Sequence, residues 1–345
     1  MLKPLSNTKI IDFSRLLPGP LGTKMLADLG AEVIKIQKTD NADYVAFQPP
    51  FIDDVSTLYH ALNHNKEIKI LNWDFENERE ALMELIKTAD VLIEQFRPGV
   101  MKHWGLDFES LKAINPKLIY ISLSGYGQSG PNAKKAGHDL NYLAISGLLD
   151  QIRDDDGKPV IPGIQIADIV GGAYSIQIAV LSAILERQTK GAGLYLDVSM
   201  TDAIIPLLSF SLSQFWGGFD PKEMKILSGA LVNYNVYKCS DSKWIALAAL
   251  ELKFWDAFCD RALKPEWKRN QQYELSLHVF PKHEMEDFFK QKSRDEWVDW
   301  AAECDFCLSP VLELSELEKS AHYQEKELII DSKNKGLKHF KSLLK

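Results

Sequence analysis

Strand and helix signals alternate through the first half of the chain, and this pattern most restricts what the sequence can fold into. Residues 8–13 read TKIIDF, a β-branched run closed by Pro18-Gly19-Pro20. Leu21, Met25, Leu26 and Leu29 then recur at helical spacing, Gly30 stops them, and EVIKIQ begins at Glu32. The unit repeats as EIKIL from Glu67, EREALMELIKTA from Glu78 and DVLIEQ from Asp90. It repeats again as a helical stretch from Leu106 to Ile114 followed by LIYISLS. Strands separated by helices of this size imply crossover connections and a mostly parallel sheet. The expected fold class is therefore α/β, Rossmann-like, with ligands at the carboxyl ends of the strands.

Beyond this region the pattern changes. Ile164 to Arg187 reads as one long helix interrupted only by Gly171-Gly172. LYLDVSM from Leu194 is expected as a short strand and Thr201 to Trp216 as a helix ended by Gly217 and Gly218. VYKCSDSKWIALAAL looks like a hairpin around a Ser-Asp-Ser turn, followed by an amphipathic helix from Phe254 to Leu263. The expected organisation is a large domain over 1–193 and 314–345, a linker over 194–229, and a smaller α+β domain over 230–313.

Composition limits the function. In 345 residues, 46% are hydrophobic, enough to bury a sizeable core. Lys and Arg total 40 against 48 Asp and Glu, a net charge of −8, whereas a nucleic-acid binder needs a basic surplus. The chain has no apolar leader run at its start. The uncharged stretch Ile169 to Leu185 is short for a bilayer crossing and contains Gly171, Gly172, Ser175, Gln177 and Ser182. It is expected to be a buried helix. Four cysteines, at 239, 259, 304 and 307, do not suggest a disulfide scaffold, so the expected location is the cytoplasm, with no membrane span.

Two tempting motifs fail on context. Gly125-Tyr126-Gly127-Gln128-Ser129-Gly130 follows a strand, but Pro131 comes next and no helix opens at the third glycine. A dinucleotide site needs that helix and an acid at the end of the following strand, so NAD is not expected. Cys304-Asp305-Phe306-Cys307 lacks the second pair that zinc requires, and no metal site is expected.

Other residues carry more. Arg97 follows the strand DVLIEQ, while Lys35 and Lys38 fall at the end of EVIKI. Cations at such edges can hold phosphates, or can simply be solvated. His138-Asp139 precedes the apolar helix Leu140 to Leu149, and either residue could cap it. Asp168 stands between Ala167 and Ile169 near the start of the long apolar helix, where a carboxylate is costly unless paired, helix-stabilised or used. A His and an Asp in one dry site would make an acid–base pair, although spacing alone does not bring them together.

Seven segments together resemble the class III CoA-transferase family, which includes 2-methylacyl-CoA racemases. They are LLPGPLGTKMLADLGAEVIKI, EQFRPGVMKHWGL, NPKLIYISLSGYGQSGP, AGHDLNYLAISG, PGIQIADIVGG, ILERQTKGAGLYLDVSM and CLSPVLELSEL. The resemblance implies an acyl-CoA substrate, two interlocked subunits forming a homodimer, and a large Rossmann-like domain with a small one. Lipid metabolism is the implied setting, with no cofactor beyond the coenzyme A carried by the substrate. It also implies that Asp168 acts either as the nucleophile of a transferase or as one arm of a racemase's proton-transfer pair. The other arm would be His138, within Gly137-His138-Asp139-Leu140-Asn141-Tyr142, supported by Glu251 in AALELKF. Amides at the helix start near Asp139 would stabilise the enolate. Arg97, Lys35, Lys38, Lys66 and Tyr142 would bind the coenzyme A portion, although the family more often carries Arg near Lys66. No glycine-rich run of the transferase kind occurs in the small domain, so the expected activity is racemisation or epimerisation of 2-methylacyl-CoA. CoA transfer between carboxylic acids is the alternative, and a non-catalytic acyl-CoA binder a third reading.

Overall fold

A computed structural model describes residues 2–38, 43–220, 227–270, 282–331 and 338–340. The chain forms two compact units, Met1–Ser209 with Glu325–Lys345, and Phe210–Gln324.

Six parallel strands build the first unit: β1 (Lys9–Asp12), β2 (Glu32–Gln37), β3 (Glu67–Ile70), β4 (Val91–Glu94), β5 (Ile119–Ser124) and β6 (Leu194–Ser199). Their order across the sheet is β3-β2-β1-β4-β5-β6. β4 and β5 are buried at every position, which explains their near-continuous apolar sequences, whereas the edge strand β3 is mostly exposed. The order reverses between β1 and β4, and the crevice at such a switch point is where ligands bind.

Helix α1 (Pro18–Asp28) follows β1. Pro18-Gly19-Pro20, expected to close the strand, instead forms the helix's first turn, where proline's fixed φ and missing N–H carry no penalty. A short helix α2 (Thr57–Asn63) precedes β3, and α3 (Glu76–Lys87) buries Leu82 and Ile86 against Ile11, Ile34, Leu92 and Tyr120 of the sheet.

The long apolar stretch is not one regular helix. Ala167–Tyr174 is π-helical and continues directly into α5 (Ser175–Lys190). The glycine pair sits inside the π segment because its neighbours leave no room for side chains. A Cβ on Gly171 would lie 2.4 Å from the Met200 carbonyl oxygen, and one on Gly172 would lie 2.4 Å from Pro18 Cβ. By length and composition Ala167–Lys190 could cross a membrane. In this fold Ile176, Val180 and Ala183 are buried within the unit.

The expected linker over 194–229 is corrected in part. Residues 194–199 are β6, hydrogen-bonded along β5 as the sheet's edge, so they belong to the large unit. The expected helix from Thr201 to Trp216 is broken into a short helix at Met200–Ala203, a 3₁₀ turn at Ile205–Leu208 and an α-helix at Ser209–Trp216, because Pro206 cannot continue a regular ladder. Residues 221–226 of the linker, and 332–337 and 341–345 of the expected return, lie outside the described residues.

The second unit holds an antiparallel sheet of β7 (Tyr234–Lys238), β8 (Trp244–Ala248) and β9 (Leu308–Pro310). Its aromatic core includes Tyr237, Trp255, Phe258, Phe289, Trp297 and Phe306. Arg294 is buried and reaches both carboxylate oxygens of Glu316, at 2.6 and 2.7 Å, which ties the segment after β9 to this unit. Glu325–Lys345 counts with the first unit, where Lys24 Nζ donates to the carbonyl of Phe340 at 3.3 Å.

Candidate active site

A cavity of about 460 Å³ opens in the first unit at the point where the strand order reverses. The turn after β1 contributes Arg15, Leu16 and Pro18, and the turn after β4 contributes Gln95, Phe96, Arg97 and Pro98. Ser124, Gly125 and Tyr126 end β5, and His138, Tyr142, Asp168 and Met200 complete the chemically important wall. The sheet therefore brings together His138 and Asp168, which lie 30 positions apart in sequence.

His138 is exposed and occupies the N-cap position of α4 (Asp139–Ser146), its N–H donating to Asn141 Oδ1 at 3.1 Å. Asp168 is the second residue of the π segment. Its carboxyl is raised to about 7, first by burial and second by the neighbouring charge of Asp139.

Asp139, expected among the catalytic residues, is not part of the cavity wall. Its carboxylate accepts the backbone N–H of Asp168 at 3.0 Å and is also bonded by that of Ala167. It thus caps the segment that carries Asp168, a favourable place for negative charge, and its own carboxyl is raised by burial. Its role is to hold and tune Asp168.

Tyr142 is buried and donates to the carbonyl of Gly137 at 2.6 Å, while its ring meets Tyr126 edge-on with centroids 5.1 Å apart. Burial and the nearby Asp168 push its phenol up to about 12, so it stays protonated. The glycines of GYGQSG serve this packing and the turn. A Cβ on Gly125 would come within 2.3 Å of the Tyr142 ring, and Gly127 and Gly130 have φ of +82° and +92°.

The expected phosphate cations separate into two groups. Arg97 is exposed on the cavity wall. Lys35 instead is fully buried, donating to the Ser14 carbonyl at 2.7 Å and pairing with Asp43 at 3.2 Å. Lys66 is buried too, 3.1 Å from Asp12 Oδ2 and 2.8 Å from the Pro20 carbonyl. Burial would raise Asp12, but Lys66, Lys35 and the hydroxyls of Ser14 and Thr23 outweigh it and hold its carboxyl at about 2. Lys66 is lowered to about 8, chiefly by burial against the attraction of Asp12. Both lysines brace the β1–α1 turn from inside and are corrected to structural roles. Lys38 pairs with Asp74 and lies 4.9 Å from the Trp73 ring centroid, outside the cavity wall.

The sequence reading missed two cavity cations, Arg15 and Lys135. Arg15 had a readable signal, since it follows β1 just as Arg97 follows β4. Glu251 stands exposed at the N-cap of α8 (Leu252–Arg261) in the second unit. Among the described residues no group of three or more His, Cys, Asp or Glu side chains is arranged to hold a metal.

The strand order and the cavity at its switch point define an α/β ligand-binding fold of Rossmann type with an acid–base pair in its wall. Residues 5–344 match CoA-transferase family III, and the chain belongs to that family. It is 31% identical to human alpha-methylacyl-CoA racemase over 340 residues, spanning 96% of this chain and 84% of that one. It is likewise 31% identical to human succinyl-CoA:glutarate CoA-transferase over 298 residues, spanning 86% and 68%. A CaiB/BaiF family protein from Brucella suis superposes with a TM-score of 0.87 at 27% identity, covering 100% of this chain and 93% of that one. The expected family and fold class are borne out. The family holds both transferases and racemases, and relatives of both kinds match at equal identity.

Proposed function

We propose that the protein is an acyl-CoA racemase or epimerase that interconverts the two configurations of a 2-methylacyl-CoA thioester. The observation that carries this reading is the meeting of His138 and Asp168 in one cavity wall, with Asp168 raised to about 7. Racemisation removes the α-proton from one face of the thioester and returns a proton to the other, so it needs two groups of similar acidity. An ordinary aspartate, at about 3.9, is too weak a base for this near neutral pH, and burial corrects it. The amide at Asp139, at the start of α4, is proposed to donate to the enolate oxygen. Glu251 is proposed to support His138, and Arg97 to hold a phosphate of coenzyme A. Proton transfer of this kind calls on no metal or organic cofactor. An interlocked homodimer is proposed as the working form, and a cytoplasmic location fits a chain of this kind. Ile178 and Leu185 on α5, and Phe215 and Trp216, are 64–76% exposed, as expected of apolar side chains that a second copy covers.

The second reading is CoA transfer, with Asp168 attacking the thioester, and the human glutarate transferase supports it at equal identity. The two part at His138. Incubation with a single enantiomer of 2-methylacyl-CoA in deuterated water is expected to give α-deuterium uptake and loss of optical rotation. His138→Ala is expected to cut kcat on the order of 10²- to 10⁴-fold. Wild type without α-exchange, together with a His138→Ala variant that still moves CoA between acids, would sink the racemase reading.

A further inference from the structure

Glu94 is a buried carboxyl that the proposed proton chemistry does not use. It ends β4 directly beneath the turn that supplies Gln95, Phe96, Arg97 and Pro98 to the cavity. Its Oε2 accepts the N–H of Phe96 at 2.7 Å, and it is bonded to the Ser122 hydroxyl of the adjacent strand β5. Among the described residues no cation pairs with it. From β5 it faces Ser122 and Tyr120, and from β6 it faces Asp197 and Tyr195.

The Phe96 amide is a fulcrum for two cavity cations. The Phe96 ring packs edge-on against Trp104 at 5.0 Å and lies 5.1 Å beneath the Arg15 guanidinium, while Arg97 is the next residue along the chain. Gln95 is fixed independently, its side-chain oxygen accepting the Gly19 N–H at 3.1 Å. One hydrogen bond from Glu94 therefore sets the ring under one arginine and the backbone of the other.

We propose that Glu94 is a positioning residue that locks the Phe96–Arg97 turn for the phosphates of coenzyme A, and that its ionised form locks the turn more firmly than its protonated form. The physical reason is that a carboxylate accepts a shorter, stronger bond from an amide N–H than a neutral carboxyl does. Burial, the main cause, raises the group to about 7, so the two forms exchange within the range where the protein can be assayed. The inference rests on the acyl-CoA reading of the cavity.

The test measures binding of coenzyme A itself by calorimetry, from pH 6 to pH 8.5, for wild type, Glu94→Gln and Glu94→Ala. Gln keeps an acceptor oxygen and the side-chain shape but has no proton to lose. Glu94→Gln is expected to match wild type at pH 6 and to bind on the order of 10-fold more weakly at pH 8.5. Glu94→Ala is expected to bind weakly at every pH while kcat stays within about 3-fold, the signature of a ground-state contact. Coincident Kd curves for wild type and Glu94→Gln would overturn the inference. So would a Glu94→Ala variant with lowered kcat and unchanged affinity, which would put Glu94 in the chemistry. Wild type that binds no coenzyme A would overturn the acyl-CoA reading instead, and the inference with it.

Discussion

Gly125→Ala should damage both stability and substrate binding, although it adds only one methyl group. The new Cβ would stand 2.3 Å from Tyr142 Cε1 and 2.5 Å from its Cζ and hydroxyl oxygen. Non-bonded carbons rest about 3.5 Å apart, so the ring must withdraw by roughly 1.2 Å. It has little room to do so, because Tyr142 is only 7% exposed and meets Tyr126 edge-on. Overpacking of this kind costs about 1–3 kcal/mol, and losing the 2.6 Å bond to the Gly137 carbonyl adds about 1 kcal/mol. The sum, about 2–4 kcal/mol, corresponds to a Tm lower by roughly 4–8 °C at about 2 °C per kcal/mol. Because Tyr126 and Tyr142 both line the cavity, KM should rise as well. Calorimetry on the single variants and on the pair with Tyr142→Ala checks the cause. With the ring gone, Gly125→Ala should add little further loss, giving strong non-additivity. A single variant that unfolds within about 1 °C of wild type, or losses that simply add, would refute the packing argument.

Arg97→Ala should raise KM for acyl-CoA far more than it lowers kcat, since a contact remote from the reacting carbon binds substrate and transition state alike; an unchanged KM removes Arg97 from the site. Analytical ultracentrifugation should find a dimer at micromolar concentration, and a stable folded monomer there would contradict the proposed assembly. A third expectation concerns His64 and His339, whose rings stack 4.0 Å apart beside His60, Lys24 and Asp28. Burial, then neighbouring positive charge, lowers both below the ordinary imidazole value. The folded protein therefore binds fewer protons than the unfolded chain, so these residues contribute stability above about pH 6.5 that is lost as pH falls through and below that value. His339→Phe keeps a ring and should flatten the Tm loss between pH 7.5 and 5.5; an identical loss in the variant would exclude this pair as its source.

Much of the fold could be read from the chain because its signals are local. The apolar runs of β4 and β5 are continuous since both faces are covered, and the glycine turns announce their positive φ. What was hidden depended on direction rather than residue type. Lys35 and Arg97 both occupy strand ends, but alternation puts Lys35 on the same buried side as Val33, where Asp43 meets it, while Arg97 lies past the end of β4. Nothing in the sequence separates an inward from an outward lysine until the partner acids are placed. Pro18-Gly19-Pro20 has the composition of a turn and of a helix start alike. The π geometry was invisible for a similar reason: a glycine pair in an apolar run reads the same in either kind of helix. For the site, the residues of the acid–base pair were legible by resemblance, but their meeting required the sheet.

The π segment has a consequence for how this protein can change. Each of its cycles holds more chain than an α turn, so Ala167–Tyr174 carries slack that a regular helix lacks. Asp168 sits upstream of that slack, tied to Asp139, while everything downstream is tied to the sheet through α5. A residue deleted between Gly171 and Tyr174 can be absorbed by tightening the segment into α geometry, with the scaffold left in place. The carboxylate would then be re-aimed by a fraction of a turn relative to His138. Single-residue length changes here thus act as a dial on the chemistry, at a spot where substitutions would meet backbone and stop.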